Sequence, residues 1–147
     1  MYQRLLVATD HSRLSRKAEK AAIGLAASTG ASLVVLHVVP DYPMSYFEGA
    51  VTLSPQEVAR IEGTWTERGQ KVVDAVVEAA AGQGVKARGV LAHSDRVAEA
   101  VMAAARKHRC DLIVMASHGR KGLTRVLLGS ETQHVLTHST IPVLVLR

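Results

Sequence analysis

Glycines, basic residues and a serine follow one another in a single segment of the chain, MASHGRKGLTRVLLGSETQ, from Met115 to Gln133. Gly119, Gly122 and Gly129 allow backbone N–H groups to approach a ligand closely and to converge on an oxyanion. Ser130 opens a predicted helix, whose first N–H groups lack partners and lie at the positive end of the helix dipole. This combination favours a phosphate site. An ordinary loop that enters a helix has the same residue types, so a structural turn is an equal alternative on these residues alone.

The same segment carries local positive charge. Arg120, Lys121 and Arg125 stand in a stretch that has no acidic residue between Asp111 and Glu131. These side chains could supply counter-charge to a bound anion, whereas a basic cluster without glycines is more often a solvated loop. The glycines beside them therefore favour a site for a small anion.

Other motifs that bind phosphate or perform hydrolysis are absent from the sequence. No G-x-x-x-x-G-K-[S/T] occurs, and no G-x-G-x-x-G follows the first predicted strand. The segment from Met115 to Gly119 has the shape of a nucleophile elbow, but a methionine stands where the first glycine belongs. These comparisons argue against a P-loop, a dinucleotide-binding fingerprint and a serine hydrolase.

Five short apolar runs must provide the strands that position this loop. They are LLVA from Leu5, SLVVLHVV from Ser32, VKARGVLA from Val85, DLIVMAS from Asp111 and PVLVL from Pro142. All except the third are apolar at consecutive positions, which is typical of parallel strands covered on both faces by helices. The third run alternates more with polar residues, so we expect it toward an edge of the sheet.

Helical patterns separate these runs. The first extends from Ser12 to about Ser28 and stops at Gly30, the second follows a capping box at Ser54-Pro55-Gln56-Glu57, the third begins near Ser94 or Asp95, and the fourth begins at a second capping box, Ser130-Glu131-Thr132-Gln133. Alternation of strand and helix predicts an α/β fold, an open, doubly wound five-stranded parallel sheet with helices on both faces. Ligands of such sheets bind outside the carboxyl ends of the strands, where the strand order reverses. Asp10, Val38 with Val39, and the glycine loop are predicted to lie there.

The composition is that of an ordinary soluble domain, and the 147 residues predict a single one. The net charge is +5, but the bases are mostly interleaved with acids and aromatics make up only 3%, which argues against nucleic acid as a partner. Cys110 is the single cysteine, so an internal disulfide is impossible and we expect a buried thiol. No signal-peptide or membrane-span pattern occurs, so we expect a cytoplasmic protein without membrane contact.

Several histidines could be mistaken for ligands. His134 and His138 are four residues apart on the fourth helix, but Thr132, Val135 and Leu136 mark its buried side, so both histidines are predicted to face solvent. His37 and His93 lie in or at the end of apolar strands, where a hydrogen-bonded core histidine is expected. Three of the five aromatic residues fall in the loop after the second strand: Tyr42, Tyr46 and Phe47. They could cover a ligand, join a subunit contact or pack on their own domain.

The sequence resembles the universal stress protein family over essentially its whole length. The resemblance rests on LVATDHS from Leu6, LHV from Leu36, DLIVMASHG from Asp111, LLGS from Leu127 and IPVLV from Ile141. It implies an adenine nucleotide alpha hydrolase-like sheet with strand order 3-2-1-4-5. The ATP-binding branch of the family has a loop of Gly, two residues, Gly, nine residues, Gly, then Ser or Thr. Gly119, the nine residues that follow it, Gly129 and Ser130 match this pattern, and Ala116 replaces its first glycine.

The resemblance also implies the ligand and its contacts. Asp10 would meet the ribose hydroxyls or a Mg²⁺ ion beside the phosphates, the backbone of Val38 would read the adenine edge, and Met115 would pack on the base. Glu131 stands where the family more often has an apolar residue. The predicted nucleotide-binding residues are Ala8, Thr9, Asp10, Val38, Met115, Ala116, His118, Gly119, Arg120, Gly122, Gly129, Ser130, Glu131 and Thr132.

These inferences predict an ATP-binding stress-response or regulatory homodimer. The apolar last strand, with Val143, Leu144 and Val145, would pair with a second copy, because the resemblance places it at a sheet edge. No committed general base is evident, so hydrolysis of ATP would be slow at most. One alternative is a dimeric scaffold that binds no nucleotide because Ala116 and Glu131 spoil the site. A weaker alternative is an adenylating or hydrolytic enzyme, whose Ser-Gly-Gly-x-Asp-Ser loop this chain lacks.

Overall fold

Strands and helices alternate in a computed structural model that describes residues 1–41, 53–119 and 127–147. The elements are β1 (Arg4–Ala8), α1 (Arg13–Thr29), β2 (Ser32–Val39), α2 (Pro55–Ala81), β3 (Ala87–His93), α3 (Val97–Lys107), β4 (Leu112–Ala116), α4 (Ser130–His138) and β5 (Val143–Leu146). Each strand corresponds to one of the five apolar runs. The aromatic residues Tyr42, Tyr46 and Phe47 lie outside the described residues.

The five strands form one parallel sheet in the order β3-β2-β1-β4-β5. This order confirms both the predicted fold class and the edge position of the third strand. Side chains alternate between the two faces of a strand, so β1 contributes to two separate buried layers. Leu5 and Val7 pack with α1 and α2, whereas Leu6 packs with α3 and α4, and all three are completely buried. Burial on both faces explains why the central strands show no polar alternation.

The first two helices begin where the sequence predicts, and the first also ends there. Ser12 caps α1 by accepting a hydrogen bond from the Ser15 amide, and Gly30 ends the helix with φ 73, a conformation that glycine adopts without strain. The capping box of α2 is confirmed as well. The Ser54 hydroxyl accepts from the Glu57 amide at 3.2 Å, and the Glu57 carboxylate accepts from the Ser54 amide at 2.7 Å.

The other two helices differ from the predictions. The hydroxyl of Ser94 accepts a hydrogen bond from the Arg96 amide at 3.0 Å, and this turn delays the start of α3 to Val97. The N-cap of α4 is Gly129, so Ser130 is already helical and the predicted second capping box is wrong. The assignment of Leu136 to the buried side of α4 is also wrong, since this residue is 42% exposed. The helix is short and buries only Thr132 and Val135. None of the helices in the described residues is both long and apolar enough to cross a membrane.

Candidate functional site

The strand order reverses between β1 and β4, and the segments that follow these two strands meet at the carboxyl edge of the sheet. A Cβ atom placed on Gly119 would lie 2.9 Å from the Oδ2 atom of Asp10, so the glycine loop and the β1–α1 turn are in direct contact there. Any residue larger than glycine at position 119 would push this carboxylate aside. The structure therefore brings together two of the three places predicted for a ligand.

The turn that carries Asp10 is held by a buried polar network. The amide of Ser12 donates to Asp10 Oδ1 at 2.9 Å, and the amide of His11, a residue with φ 61, donates to the Thr9 hydroxyl at 3.0 Å. Thr9 is 5% exposed, and its hydroxyl donates to the carboxylate of Glu19 on α1. A hydrogen bond of 2.9 Å also joins His37 Nδ1 to the carbonyl oxygen of Thr9. These contacts fix the backbone next to Asp10.

Sequence reasoning missed Glu19. This residue is 8% exposed and lies on the side of α1 that packs against the sheet, between the fully buried Ala18 and Ala22. A carboxylate at a core-facing helix position needs a hydrogen-bond partner, so an acid flanked by alanines was the available signal. His37, in contrast, has the hydrogen bond that the sequence predicted. His93 is hydrogen-bonded too, at 3.1 Å between its Nε2 and the Thr66 hydroxyl, but it is exposed rather than part of the core.

The N-terminus of α4 lies beside the end of β4. The amide of Gly129 donates to the carbonyl oxygen of Ser117 at 2.8 Å, which attaches the helix start to the strand end. A Cβ atom on Gly129 would lie 3.1 Å from the same oxygen and 3.5 Å from the Cα atom of His118. No described side chain caps α4, whereas Ser12 caps α1 and Ser54 caps α2. The N-cap residue of α4 therefore offers no side-chain acceptor to the first-turn N–H groups, which intrahelical bonds do not satisfy.

The side chains that follow Ser130 are engaged within the protein. Thr132 is 3% exposed, and its hydroxyl donates to the carbonyl oxygen of Ala116 at 2.8 Å. The Oε2 atom of Glu131 accepts from the amide of Ala98 at 2.7 Å, so this carboxylate caps the N-terminus of α3. Both residues were predicted to bind nucleotide, and the structure gives their side chains contacts that orient α4 against β4 and α3. The carboxylate of Glu131 is directed to α3, and its charge is favourable at that helix start.

The remaining predicted residues divide into three groups. Ring nitrogens of His118 are paired with the Ser117 hydroxyl, at 2.9 Å, and with the carbonyl oxygen of Leu127. Met115 is 6% exposed and packs in the α3–α4 layer, against which Ala8 and Val38 are partly buried. Arg120 and Gly122, together with Lys121 and Arg125, lie outside the described residues.

The described part of the chain gives little support for a metal site or for a reactive cysteine thiol. No group of three or more His, Cys, Asp or Glu residues there could hold a metal ion. His134 and His138 are exposed, as predicted, with ring centroids 4.3 Å apart. Cys110 is 5% exposed, and burial raises the pKa of its thiol to about 11, so the reactive thiolate is scarce at neutral pH.

Fold and site together define a class: a doubly wound α/β domain whose carboxyl edge presents an uncapped helix start and a glycine loop beside an aspartate. Comparison with known proteins makes the assignment specific. The chain belongs to the universal stress protein family, whose model matches residues 1–147.

Individual relatives agree with this assignment. The universal stress protein YxiE of Bacillus subtilis is 34% identical, with the whole of both chains covered. The solved structure of the protein MJ0577, of which Methanocaldococcus jannaschii is the source, superposes with a TM-score of 0.84 at 25% identity, over 99% of this chain and 96% of that one. A universal stress protein solved in complex with cAMP superposes with a TM-score of 0.69 at 22% identity, over 99% of this chain and 97% of that one.

Proposed function

We propose that this protein binds ATP at the carboxyl edge of the sheet and acts as a cytoplasmic, homodimeric regulator in a stress response. The observation that carries the proposal is the start of α4, whose N-terminus no described side chain caps and whose N-cap Gly129 lies against Ser117 and His118 at the end of β4. Backbone N–H groups at a helix start bind phosphate oxygens well because they combine free donors with the positive end of the dipole. The cAMP complex of a structural neighbour supports the nucleotide class.

Each part of the nucleotide has a matching group in this proposal. The amides of Ser130 and the residues after it would hold phosphate oxygens, and the Ser130 hydroxyl would add a donor. The main chain at Val38 would meet the adenine edge. Asp10 would meet the ribose hydroxyls or a Mg²⁺ ion, and such an ion would neutralise charge on the phosphates. The donor set fits this ligand, because Glu131, the acid nearest in sequence to Ser130, is turned to Ala98.

Binding rather than turnover is the proposed activity. The carboxylates near this edge are engaged in hydrogen bonds. Asp10 Oδ1 accepts from the Ser12 amide, Glu131 accepts from the Ala98 amide, and Glu19 accepts from the Thr9 hydroxyl. A general base needs to be placed and tuned to take a proton, so we expect hydrolysis of ATP to be slow at most.

A specific observation also favours the second candidate, a dimeric scaffold that binds no nucleotide. The amide of Gly129 already donates to Ser117, so it is not free for a phosphate oxygen. Ala116 places a methyl group where the ATP-binding pattern has glycine, and it is 7% exposed. ATP binding would then depend on the amides of α4 that follow Gly129, which would have to hold the phosphate oxygens by themselves.

Substitution of Gly129 by valine tests the proposal. The added side chain would collide with Ser117 and His118, so the loop must move away from the helix start. We expect millimolar MgATP to raise the melting temperature of the wild-type protein, since ligand at about 100 times Kd stabilises a fold by roughly 2.7 kcal/mol. The shift should disappear in Gly129→Val. Gly63→Val is the matched control, because a Cβ atom there meets nothing within 4 Å.

Two outcomes would contradict the proposal. If wild-type protein shows no shift with MgATP and releases no adenine nucleotide on denaturation, the scaffold stands instead. If Gly129→Val keeps the full shift, the nucleotide binds somewhere other than at α4. Steady multiple-turnover hydrolysis would favour an enzyme.

A further inference from the structure

A second concave region lies on the α1 side of the same sheet edge. This cleft has a volume of about 440 Å³ and is lined by Arg13, Leu14, Lys17, Ser117, His118 and Arg147. Three of these six residues carry a permanent positive charge and none is an acid. A cleft of one charge sign concentrates ligands of the opposite sign. We refer to it as the basic cleft.

Three separate elements supply its walls. Arg13 and Lys17 are four residues apart on α1, so their side chains project from the same face of the helix. Arg147 directly follows β5. Ser117 directly follows β4 and is 2% exposed, with its hydroxyl 2.9 Å from His118 Nδ1. The basic side chains therefore come from two separate elements, and Ser117 and His118 add hydrogen-bonding groups to the same cleft.

The charges on α1 are placed against the preference of the helix. Its first turn contains no acid, although the N-terminal end of a helix favours negative charge and disfavours cations. Arg13 is the first helical residue, and Arg16 and Lys17 follow within the next turn. In the described residues the only ion pairs are His11–Glu19 and Arg96–Glu99, so Arg13, Lys17 and Arg147 have no such partner there. A bound anion would offset this unfavourable arrangement.

We propose that the basic cleft binds a phosphoryl group, at a position distinct from the start of α4. Guanidinium groups match phosphate geometry with paired N–H donors, and the lysine adds a compact charge. Ser117 and His118 line the cleft and also lie against Gly129 at the start of α4, so the group has two possible sources. It is either the end of the polyphosphate tail of a nucleotide held at α4, or a separate phosphate-bearing molecule. The first source depends on the proposed ATP binding, and the second does not.

Calorimetric titration at low ionic strength tests the cleft, with sodium pyrophosphate as one probe and MgATP as the other. The test variants are Lys17→Met and Arg147→Met. Arg16→Met is the matched control, because Arg16 is exposed on the same turns of α1 but does not line the cleft. Loss of one charged hydrogen-bond partner should weaken binding about tenfold, because the lost contact is charge-assisted but partly screened by solvent. Arg16→Met should change affinity less than about twofold, because it alters only long-range charge.

The two probes separate the two sources. The cleft holds a separate phosphoryl group if pyrophosphate binds the wild-type protein, if Lys17→Met weakens this binding, and if Gly129→Val still binds pyrophosphate. This conclusion holds even if ATP binding fails. If pyrophosphate does not bind, but Lys17→Met weakens the binding of MgATP and leaves the binding of AMP unchanged, the cleft holds the nucleotide tail. The proposal is overturned if Arg16→Met weakens either probe as much as Lys17→Met does. It is also overturned if Lys17→Met and Arg147→Met leave both probes unchanged, or if neither probe binds.

Discussion

Glu131 shows how a residue beside a predicted phosphate site can serve a different helix. Its carboxylate accepts the Ala98 amide at 2.7 Å, although the two residues are 33 positions apart. Arg96, the N-cap of α3, provides no side-chain cap. Without Glu131, the Ala98 amide in the first turn of α3 would lose this acceptor. The acid therefore stabilises two helices at once. An apolar residue at this position could not provide the cap.

Removal of this cap should cost stability. We expect Glu131→Ala to lower the free energy of unfolding by about 1 kcal/mol, because Ala98 loses its hydrogen-bond acceptor. Glu131→Gln keeps an oxygen acceptor and should lose less. Urea denaturation measures both variants. Glu99→Ala is the control, since its exposed pair with Arg96 contributes little. An equal loss in Glu99→Ala and Glu131→Ala would show that the Ala98 contact does not matter.

Cys110 gives a second prediction at the residue scale. Burial raises the pKa of its thiol to about 11, so at pH 8 the group is almost entirely protonated and unreactive. We expect labelling by a thiol reagent at pH 8 to be negligible in the folded protein and to follow global unfolding as urea is added. Immediate stoichiometric labelling of the folded protein, checked by circular dichroism, would show that the thiol is accessible.

Among the elements, α2 shows how one missing side chain sets the distance between a helix and the sheet. Gly69 lies against β2, and a Cβ atom there would be 2.7 Å from His37 Cδ2 and 3.3 Å from a methyl group of Leu91. The glycine thus lets the ring of His37 fit beneath the helix while His37 Nδ1 contacts the Thr9 carbonyl oxygen. The position of α2 is connected in this way to the turn that carries Asp10.

Two alanine substitutions in α2 should therefore have opposite effects. Gly69→Ala should destabilise the protein by about 1–3 kcal/mol, because the methyl group displaces His37 or the helix. Gly63→Ala should stabilise it by up to about 1 kcal/mol, because nothing lies within 4 Å and alanine is the better helix former. Thermal and urea unfolding measure both. If both variants are stabilised, the contact with His37 is loose enough to absorb a methyl group.

At the scale of the whole molecule, the exposed edge of β5 is the feature that favours association with a second chain. Among the strands that the structure describes, β5 pairs only with β4, and Leu144 on β5 is 38% exposed. An apolar strand with an open edge can pair with the same strand of a second copy around a twofold axis. The homodimer through Val143, Leu144 and Val145 remains a prediction.

Sedimentation at micromolar concentration tests the dimer. We expect the wild-type protein to have the mass of two chains and Leu144→Lys to have the mass of one, because a charge at the edge opposes pairing. Val97→Lys is the control, since Val97 is 36% exposed but lies on α3. A wild-type monomer, or a Leu144→Lys dimer as tight as wild type, would exclude this interface.

Much of the fold was predictable because it depends on local patterns. Consecutive apolar residues from Leu33 to Leu36 predict a strand buried on both faces, and Ser54 with Glu57 predicts a helix start, since each pattern acts within a few residues of chain. The resemblance of Gly119, Gly129 and Ser130 to a family loop added the expected ligand. These inferences placed the predicted site at the carboxyl edge of the sheet, where the structure brings Gly119 and the Asp10 turn together.

Only the tertiary structure could decide which groups face one another at that edge. Glu131 reaches a helix 33 residues away, Glu19 lies beneath Thr9, and the basic cleft joins Arg13 to Arg147 across nearly the whole chain. Such contacts depend on how helices pack across the sheet and on the direction of each side chain, which no local periodicity specifies. The sequence by itself determined the elements and their class, and the packing of its layers determined which helix ends are capped and which basic side chains share a cleft.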